Sequence, residues 1–252
     1  MRTLSVEELG HHFASVPGKP RVVVSGNSAV PWPAVRALDE NKDTYTIHVL
    51  NAPPGIPDRE GVTAETCFVG SGMRRHRDLS YVPSRLSLVP VLLQRRIPPD
   101  VVIVHCAPPR DGQLSLGIEV NVLPAAIEGC RQRSGRVVAV INDQMPYTFG
   151  DAQIPVEAVD VAIEVSEPLP AHDPVAPDAD SLAIGGRVAS RVSDGATLQM
   201  GIGGVPDATL NALTGRRSLR VWTEMFSDGV LELDRVGALD EHHPLTASFV
   251  FG

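Results

Sequence analysis

Short runs of apolar, mostly β-branched residues recur along the first part of the chain. They occupy residues 21–24, 45–50, 101–104, 136–141 and 159–165. Near-continuous apolar strands of this kind are typical of a parallel sheet that is covered on both faces. The pattern therefore predicts a mostly parallel, buried sheet.

Segments with the helical spacing of apolar residues lie between these runs, at residues 33–40, 86–95 and 122–133. Alternation of strands and helices predicts an α/β layered fold. Residues 167–180 then carry four prolines and no periodicity, which is typical of a linker. We therefore expect a domain boundary near residue 175, with one domain over residues 1–175 and a second over residues 176–252.

The second domain begins with a helical pattern over residues 181–192, followed by a strand, a glycine loop and a helix over residues 196–213. Further strands are predicted at residues 219–222 and 245–251. Because the sequence stops inside an apolar strand pattern, we expect the chain to be part of a longer polypeptide. Exposed apolar edges of such a partial domain favour self-association, so a homo-oligomer is considered.

Composition and charge argue against several classes of function. The 252 residues are 43% hydrophobic and 21% charged, with a net charge of −8 and no basic stripe, so no nucleic-acid partner is expected. Cys67, Cys106 and Cys130 are widely separated, which argues against a zinc site or a disulfide scaffold. The sequence shows no secretory signal and no long apolar run, so we expect a cytoplasmic protein that binds no membrane.

A glycine loop follows the predicted strand of residues 196–200, in the stretch LQMGIGGVPDATLNAL. Glycines permit a tight turn, and Pro206 suits the first turn of the helix that follows. The N-terminus of that helix would offer free backbone N–H groups to an anion. The spacing matches neither the dinucleotide-binding fingerprint nor a P-loop. The alternative interpretation is a glycine-rich turn that binds nothing.

Glu224 follows the next predicted strand, a buried one at residues 219–222, and precedes a turn-like Ser-Asp-Gly at residues 227–229. An ionised carboxylate is costly to bury without a partner, so its place beside an apolar strand needs a reason. If the two strands are parallel neighbours, the glycine loop and Glu224 lie at the same edge of the sheet. The alternative is a solvated glutamate at a wet strand end.

These stretches resemble the acetyl-CoA hydrolase/transferase family, which includes 4-hydroxybutyrate and acetate CoA-transferases. The resemblance is carried by LQMGIGGVPDA and WTEMFSDG in the second domain. In the first domain it is carried by FVGSGMRRHRDLSYVP, SLGIEVNVLPAAIE and INDQMPYTFGDAQI. The similar motifs occur in the family's order and extend over essentially the whole chain.

The resemblance implies an open, mostly parallel α/β domain of the NagB/RpiA-like CoA-transferase type, followed by an incomplete second α/β domain. It implies that Glu224 is the catalytic nucleophile. The residues implied to contact coenzyme A are Gly201, Ile202, Gly203, Gly204 and Val205. The implied reaction is ping-pong transfer of CoA from an acyl-CoA to a small carboxylate through a glutamyl-CoA thioester, with no metal.

Two alternatives stay open: an acyl-CoA hydrolase, in which water resolves the intermediate, and a non-catalytic CoA-binding fragment. The family's chains continue past the position of Gly252 with a further glycine-rich segment of the CoA site. We therefore expect weak or no turnover from this chain alone. Asn121 and Tyr147 depart from the Asp and Arg that the resemblance leads us to expect, and either departure could retune acyl specificity.

Several other residues have two interpretations at this point. Arg216, Arg217 and Arg220 could bind CoA phosphates, or could simply mark a helix end, where cations are favourable. The loops at residues 115–117 and 142–150 could face the substrate or could be tight turns. The histidine pairs at residues 11–12 and 242–243 are expected at the surface, because no neighbouring spacing supports a metal site.

Overall fold

The computed structural model describes residues 1–171 and 176–250. Contacts divide the chain into one unit that ends at Pro170 and a second that begins at Ala171. The boundary expected near residue 175 falls in a stretch that lies outside the described residues, so the domain limits stay a prediction. Each unit is described by itself below.

The N-terminal unit contains ten strands and four α-helices. The strands are β1 (Arg2–Thr3), β2 (Arg21–Val24), β3 (Tyr45–Val49), β4 (Val62–Thr66), β5 (Leu79–Tyr81), β6 (Val101–Arg110), β7 (Gln113–Ser115), β8 (Arg136–Asn142), β9 (Gln153–Pro155) and β10 (Val161–Val165). The helices are α1 (Val6–Ala14), α2 (Trp32–Asn41), α3 (Val89–Arg95) and α4 (Leu123–Arg131).

Eight of these strands form a parallel sheet in the order β1-β10-β8-β6-β2-β3-β4-β5. Strand β7 adds to β6 in the antiparallel direction, and β9 adds to β7 in the same way. The chain leaves β2 toward β3 on one side and returns at β6 on the other side. The predicted parallel sheet is therefore confirmed, with a reversal of strand order between β2 and β6.

Helices cover both faces of this sheet, as the continuous apolar strands predict. One core cluster joins Val22 and Val24 of β2 to Leu9 of α1 and Leu38 of α2. The other cluster contains Val23, together with residues of α3 and α4. Because successive strand residues point to opposite faces, a strand between two such layers is mostly apolar on both faces.

The C-terminal unit is smaller. Its helices are α5 (Ala179–Ala189), α6 (Gly204–Ala212) and α7 (Asp228–Arg235). Its strands are β11 (Thr197–Leu198), β12 (Arg220–Val221), β13 (Met225–Phe226) and β14 (Phe249–Val250). Strand β11 pairs with β12 and β13 pairs with β14, both in parallel. The strands are shorter than the sequence predicts, and residue 251 of the last predicted strand lies outside the described residues.

The turn predicted at residues 227–229 is wrong, because this segment begins helix α7. Ser227 is the N-cap residue with extended backbone angles, and Asp228 lies in the first turn. An acidic residue in the first turn interacts favourably with the helix dipole. The amphipathic stretch that follows buries Val230 and Leu233, which gives the helix a core-facing side.

Helices α5 and α6 cross at a point where only glycine fits. A Cβ atom on Gly185 would lie 2.7 Å from the backbone carbon of Ala208 and 2.8 Å from the backbone nitrogen of Thr209. The neighbouring Gly186 has no atom within 4 Å of the same position. These two glycines of one helix therefore have opposite surroundings.

We expect Gly185→Ala to destabilise the protein by about 1–3 kcal/mol, because the added methyl group overpacks a backbone contact. Gly186→Ala is the matched control and should stabilise by about 0.5–1 kcal/mol, because alanine loses less entropy in a helix. Urea denaturation of both variants measures the difference. Equal effects of the two substitutions would contradict the close α5–α6 crossing.

Candidate functional site

The glycine loop and Glu224 follow two strands that are parallel neighbours. Thr197 of β11 pairs with Arg220 of β12, and Leu198 pairs with Val221. The loop of residues 201–205 comes after the first strand, and Glu224 comes three residues after the second. The predicted adjacency is therefore present in the structure, with both features beyond the carboxyl ends of one strand pair.

The glycine loop leads directly into the N-terminus of helix α6. Gly203 has φ 104° and caps helix α6 without a side-chain hydrogen bond, a conformation that favours glycine. The helix begins at Gly204, so Pro206 is its third residue and lies in the first turn, as the sequence predicts. N–H groups in a first turn have no partner within the helix, and here they open onto the exposed residues 202–204.

The strand before Glu224 is half-buried rather than fully buried as predicted. Leu219 and Val221 are buried, whereas Arg220 is exposed and Trp222 is 70% exposed to solvent. Because buried and exposed residues alternate along this segment, Glu224 lies on the exposed side. Its carboxylate stays in water and does not incur the cost of burial considered above. Its backbone carbonyl accepts hydrogen bonds from the N–H groups of Ser248 at 2.9 Å and Phe249 at 3.2 Å.

The three arginines lie away from this edge. Arg216 donates from Nη2 to the carbonyl of Ala189, at the end of α5, at 3.1 Å. Arg220 pairs with Asp240, with Nε 3.3 Å from Oδ2, and occupies the start of β12, which is the opposite end from the loop. The side chain of Arg217 is exposed. Arg216 thus caps a helix end, although the helix is α5 rather than α6.

Two loops singled out in the N-terminal unit are bonded to each other. The hydroxyl of Ser115 accepts from the N–H of Thr148 at 2.9 Å and from the N–H of Gly117 at 3.1 Å. Asn142 donates from Nδ2 to the carbonyl of Glu167 at 2.8 Å. The bond between Gly117 and Ser115 is local and fits the tight-turn interpretation of residues 115–117, whereas the other two join distant segments. Tyr147 packs its ring under the guanidinium of Arg110, 4.4 Å from the ring centroid.

A buried acid that the sequence analysis missed lies near the reversal of strand order. Glu119 is 1% exposed and its Oε2 accepts from Asn27 Nδ2 at 2.7 Å. Asn51 donates in turn to Asn27 Oδ1 at 2.7 Å, and Asn121 Nδ2 lies 3.5 Å from Glu119 Oε1. Asn27 follows β2, and ligands of open α/β sheets usually lie beyond strand ends at such a reversal.

Burial raises the pKa of Glu119 to about 7, because the loss of water disfavours the charged form more than the hydrogen bonds from Asn27 and Asn121 favour it. All three asparagines have left-handed backbone angles, with φ between 38° and 49°. Asparagine tolerates this conformation better than most residues. A spacing rule would not have found this network, because its members come from three separate loops.

The histidine pairs differ in their surroundings. His11, His242 and His243 are exposed, and His243 Nδ1 lies 2.7 Å from Asp240 Oδ2. His12 is half-buried, and burial lowers its pKa. Over residues 1–171 and 176–250, no group of three His, Cys, Asp or Glu side chains is arranged to hold a metal ion. The helices of these residues are all too short or too polar to cross a membrane.

Comparison with known proteins decides the family. Residues 58–171 match the family model described as the acetyl-CoA hydrolase/transferase N-terminal domain. The chain is 35% identical over 251 residues to a succinyl-CoA:acetate/propanoyl-CoA:succinate CoA transferase of Fasciola hepatica, with 92% of this chain and 52% of the relative covered. The chain belongs to the acetyl-CoA hydrolase/transferase family.

Two further members of this family support the assignment. A 4-hydroxybutyrate coenzyme A transferase of Clostridium kluyveri is 33% identical, with 92% of this chain and 58% of the relative covered. The crystal structure of a 4-hydroxybutyrate CoA-transferase from Porphyromonas gingivalis aligns with a TM-score of 0.77 at 30% identity, over 100% of this chain and 62% of that one. The chain thus spans a little over half the length of these curated relatives.

Within the family motifs, the structure separates packing residues from residues at the candidate site. Ala208 faces Gly185 at the α5–α6 crossing, and a Cβ atom on Gly229 would lie 2.6 Å from Leu210 Cδ1. These motif positions hold helices together. In contrast, Glu224 and residues 202–204 of the glycine loop are exposed.

We expect Glu119→Gln to change the pH dependence of stability. The pKa of this carboxyl rises from 4.5 to about 7 on folding, so the folded protein holds a proton that the unfolded chain releases. Stability is therefore lost as pH rises between these values, by about 3 kcal/mol in total. In the variant this loss should disappear.

Urea denaturation between pH 4 and pH 8 measures this effect. The free energy of unfolding of the variant should rise relative to wild type across the window and level off above it. Glu157→Gln, at an exposed position, is the control and should follow the wild-type pH profile. Parallel profiles for wild type and Glu119→Gln would show that Glu119 keeps an ordinary pKa.

Proposed function

We propose that the protein is a CoA-transferase that moves CoA from an acyl-CoA to a small carboxylic acid, with Glu224 as the nucleophile. One observation carries the proposal: an exposed carboxylate and a glycine loop opening a helix lie beyond the carboxyl ends of the same parallel strand pair. The relatives from Fasciola hepatica and Clostridium kluyveri are CoA transferases, which supports the proposal.

The reaction begins with attack of the Glu224 carboxylate on the thioester carbonyl. A carboxylate needs no general base, and its weak nucleophilicity is offset when it is oriented against the reacting carbon. The carbon–sulfur bond breaks, giving a mixed anhydride and the CoA thiolate. The thiolate then attacks the glutamyl carbonyl, which releases the first carboxylate and leaves a glutamyl-CoA thioester.

The second half repeats these steps in reverse. An incoming carboxylate attacks the glutamyl thioester, CoA thiolate leaves, and the thiolate takes the new acyl group from the anhydride. Free Glu224 is regenerated, and no proton or metal is consumed. Each attack develops an oxyanion, and unpartnered backbone N–H groups are effective stabilisers of that charge.

The glycine loop is proposed to bind coenzyme A through Gly201, Ile202, Gly203, Gly204 and Val205. Backbone N–H groups at the start of α6 point toward this loop, and the helix dipole favours an anion there. Ile202 is 38% exposed, which leaves an apolar side chain free for the pantetheine arm. A cytoplasmic location and the absence of a metal requirement belong to the same proposal.

In the full-length polypeptide, we expect Glu224→Gln to abolish thioester exchange, with a loss of at least about 1,000-fold, because an amide oxygen cannot form the covalent intermediate. Incubation with acetyl-CoA, trapping with hydroxylamine and mass spectrometry should place a single hydroxamate on Glu224. Glu241→Gln, at an exposed residue of the same unit, is the control. Undiminished exchange in Glu224→Gln would refute the assignment of the nucleophile.

The exposed position of Glu224 favours hydrolysis as the second candidate, since water can reach the intermediate. Release of CoA from acetyl-CoA, measured with and without added succinate or 4-hydroxybutyrate, separates the two activities. A transferase forms the new thioester faster than it hydrolyses the old one. Hydrolysis that always exceeds exchange would favour the hydrolase, and CoA binding without a Glu224 adduct would favour a non-catalytic fragment.

A further inference from the structure

The residue before Glu224 points into the protein. Thr223 is 7% exposed, while Trp222 and Glu224 on either side are exposed. This alternation is the ordinary two-residue period of extended chain. Burying a hydroxyl is unfavourable unless its hydrogen bonds are replaced, so the contacts of the Thr223 side chain are informative.

The hydroxyl of Thr223 bonds to the chain on both sides of the candidate site. Oγ1 accepts from the N–H of Met200 at 3.1 Å, and it lies 3.2 Å from the carbonyl oxygen of Met200 and 3.0 Å from that of Met225. Met200 directly precedes Gly201, and Met225 directly follows Glu224. A hydroxyl has one hydrogen and two lone pairs, so it accepts from Met200 and donates to one of the two carbonyls.

The Thr223 side chain extends the pairing of β11 and β12 by one residue beyond the last backbone hydrogen bond. Within residues 176–250, the last backbone hydrogen bond between the two segments runs from the N–H of Trp222 to the carbonyl of Leu198, at 3.0 Å. The N–H of Thr223 turns instead to the carbonyl of Thr246, at 3.0 Å. At this point of the described structure, the hydroxyl of Thr223 joins the start of the glycine loop to the segment that carries Glu224.

We propose that Thr223 is a positioning residue whose hydroxyl sets the distance between the glycine loop and Glu224. The inference rests on the proposed function, in which the loop holds coenzyme A and Glu224 attacks its thioester. A shift of about 1 Å between a bound substrate and a nucleophile costs on the order of 100-fold in rate. The hydrogen bonds of Thr223 act directly on that separation.

Two substitutions separate this role from packing. Thr223→Ser keeps the hydroxyl and removes a methyl group, whereas Thr223→Val keeps the shape and removes the hydroxyl. Valine leaves the N–H of Met200 buried without a partner, so the loop must move to satisfy it. Thr214→Val is the control, because Thr214 is exposed and its hydroxyl bonds only to the carbonyl of Asn211 within the described residues.

The experiment uses the full-length polypeptide and measures the rate at which acetyl-CoA labels Glu224, over a range of acetyl-CoA concentrations, by hydroxylamine trapping and mass spectrometry. Thr223→Ser and Thr214→Val should reach maximum rates within about threefold of wild type. Thr223→Val should fall by about 10- to 100-fold, with a smaller change in the half-saturating concentration. The melting temperature of each variant, taken in the same buffer, confirms that the labelled protein is folded.

The outcomes distinguish this inference from the function on which it rests. If wild type labels Glu224 and folded Thr223→Val labels it equally fast, the role of Thr223 is overturned and the nucleophile stands. If Thr223→Ser loses as much rate as Thr223→Val, the methyl group rather than the hydroxyl matters, and the inference is again overturned. If wild type acquires no label while Glu224→Gln behaves identically, the proposed function falls and the inference falls with it.

Discussion

A parallel pairing of only two residues on each strand organises the C-terminal unit. Thr197 and Leu198 pair with Arg220 and Val221, on the segments that lead to the glycine loop and to Glu224. Because parallel strands present their carboxyl ends at one edge, this short ladder brings together features that are 23 residues apart in the chain. The hydroxyl of Thr223 extends the pairing to the first residue before the loop.

Close packing of helices α5 and α7 against α6 also positions the glycine loop. Gly185 admits the backbone of α6, and Gly229 admits the side chain of Leu210. Both contacts hold helix α6, whose N-terminal residues Gly204 and Val205 belong to the glycine loop. The family motifs therefore contain two kinds of position. Some are exposed at the candidate site, and others let the helices pack closely enough to place them.

The carboxyl group of interest in the N-terminal unit is buried, whereas that of the C-terminal unit is exposed. Its parallel sheet is closed by apolar layers on both faces, yet Glu119 is buried among the asparagines at positions 27, 51 and 121. Amide donors lower the cost of the charged form, and burial raises it by more. The result is a carboxyl whose charge state changes near neutral pH, whereas Glu224 in the other unit is exposed to water.

The sequence by itself determined the α/β class, the parallel direction of the main strands and the positions of the two C-terminal features. These follow from local signals: continuous apolar runs, glycines after a strand, and a carboxylate after the next. Motif resemblance added the family, which the comparisons confirm. Local patterns also failed in an instructive way at residues 227–229, where a turn-like composition begins a helix because the residues beyond it bury one face.

Only the tertiary structure decided which residues share an environment. The burial of Glu119, the exposure of Trp222 and the bonds of Thr223 depend on segments distant in the chain, and no periodicity or spacing encodes those contacts. Arg220 shows the same limit, since its sequence position suggests the loop and its strand register places it at the other end of the strand pair. Proximity along the chain fixes local conformation; proximity in space is set by how strands pair and helices cross.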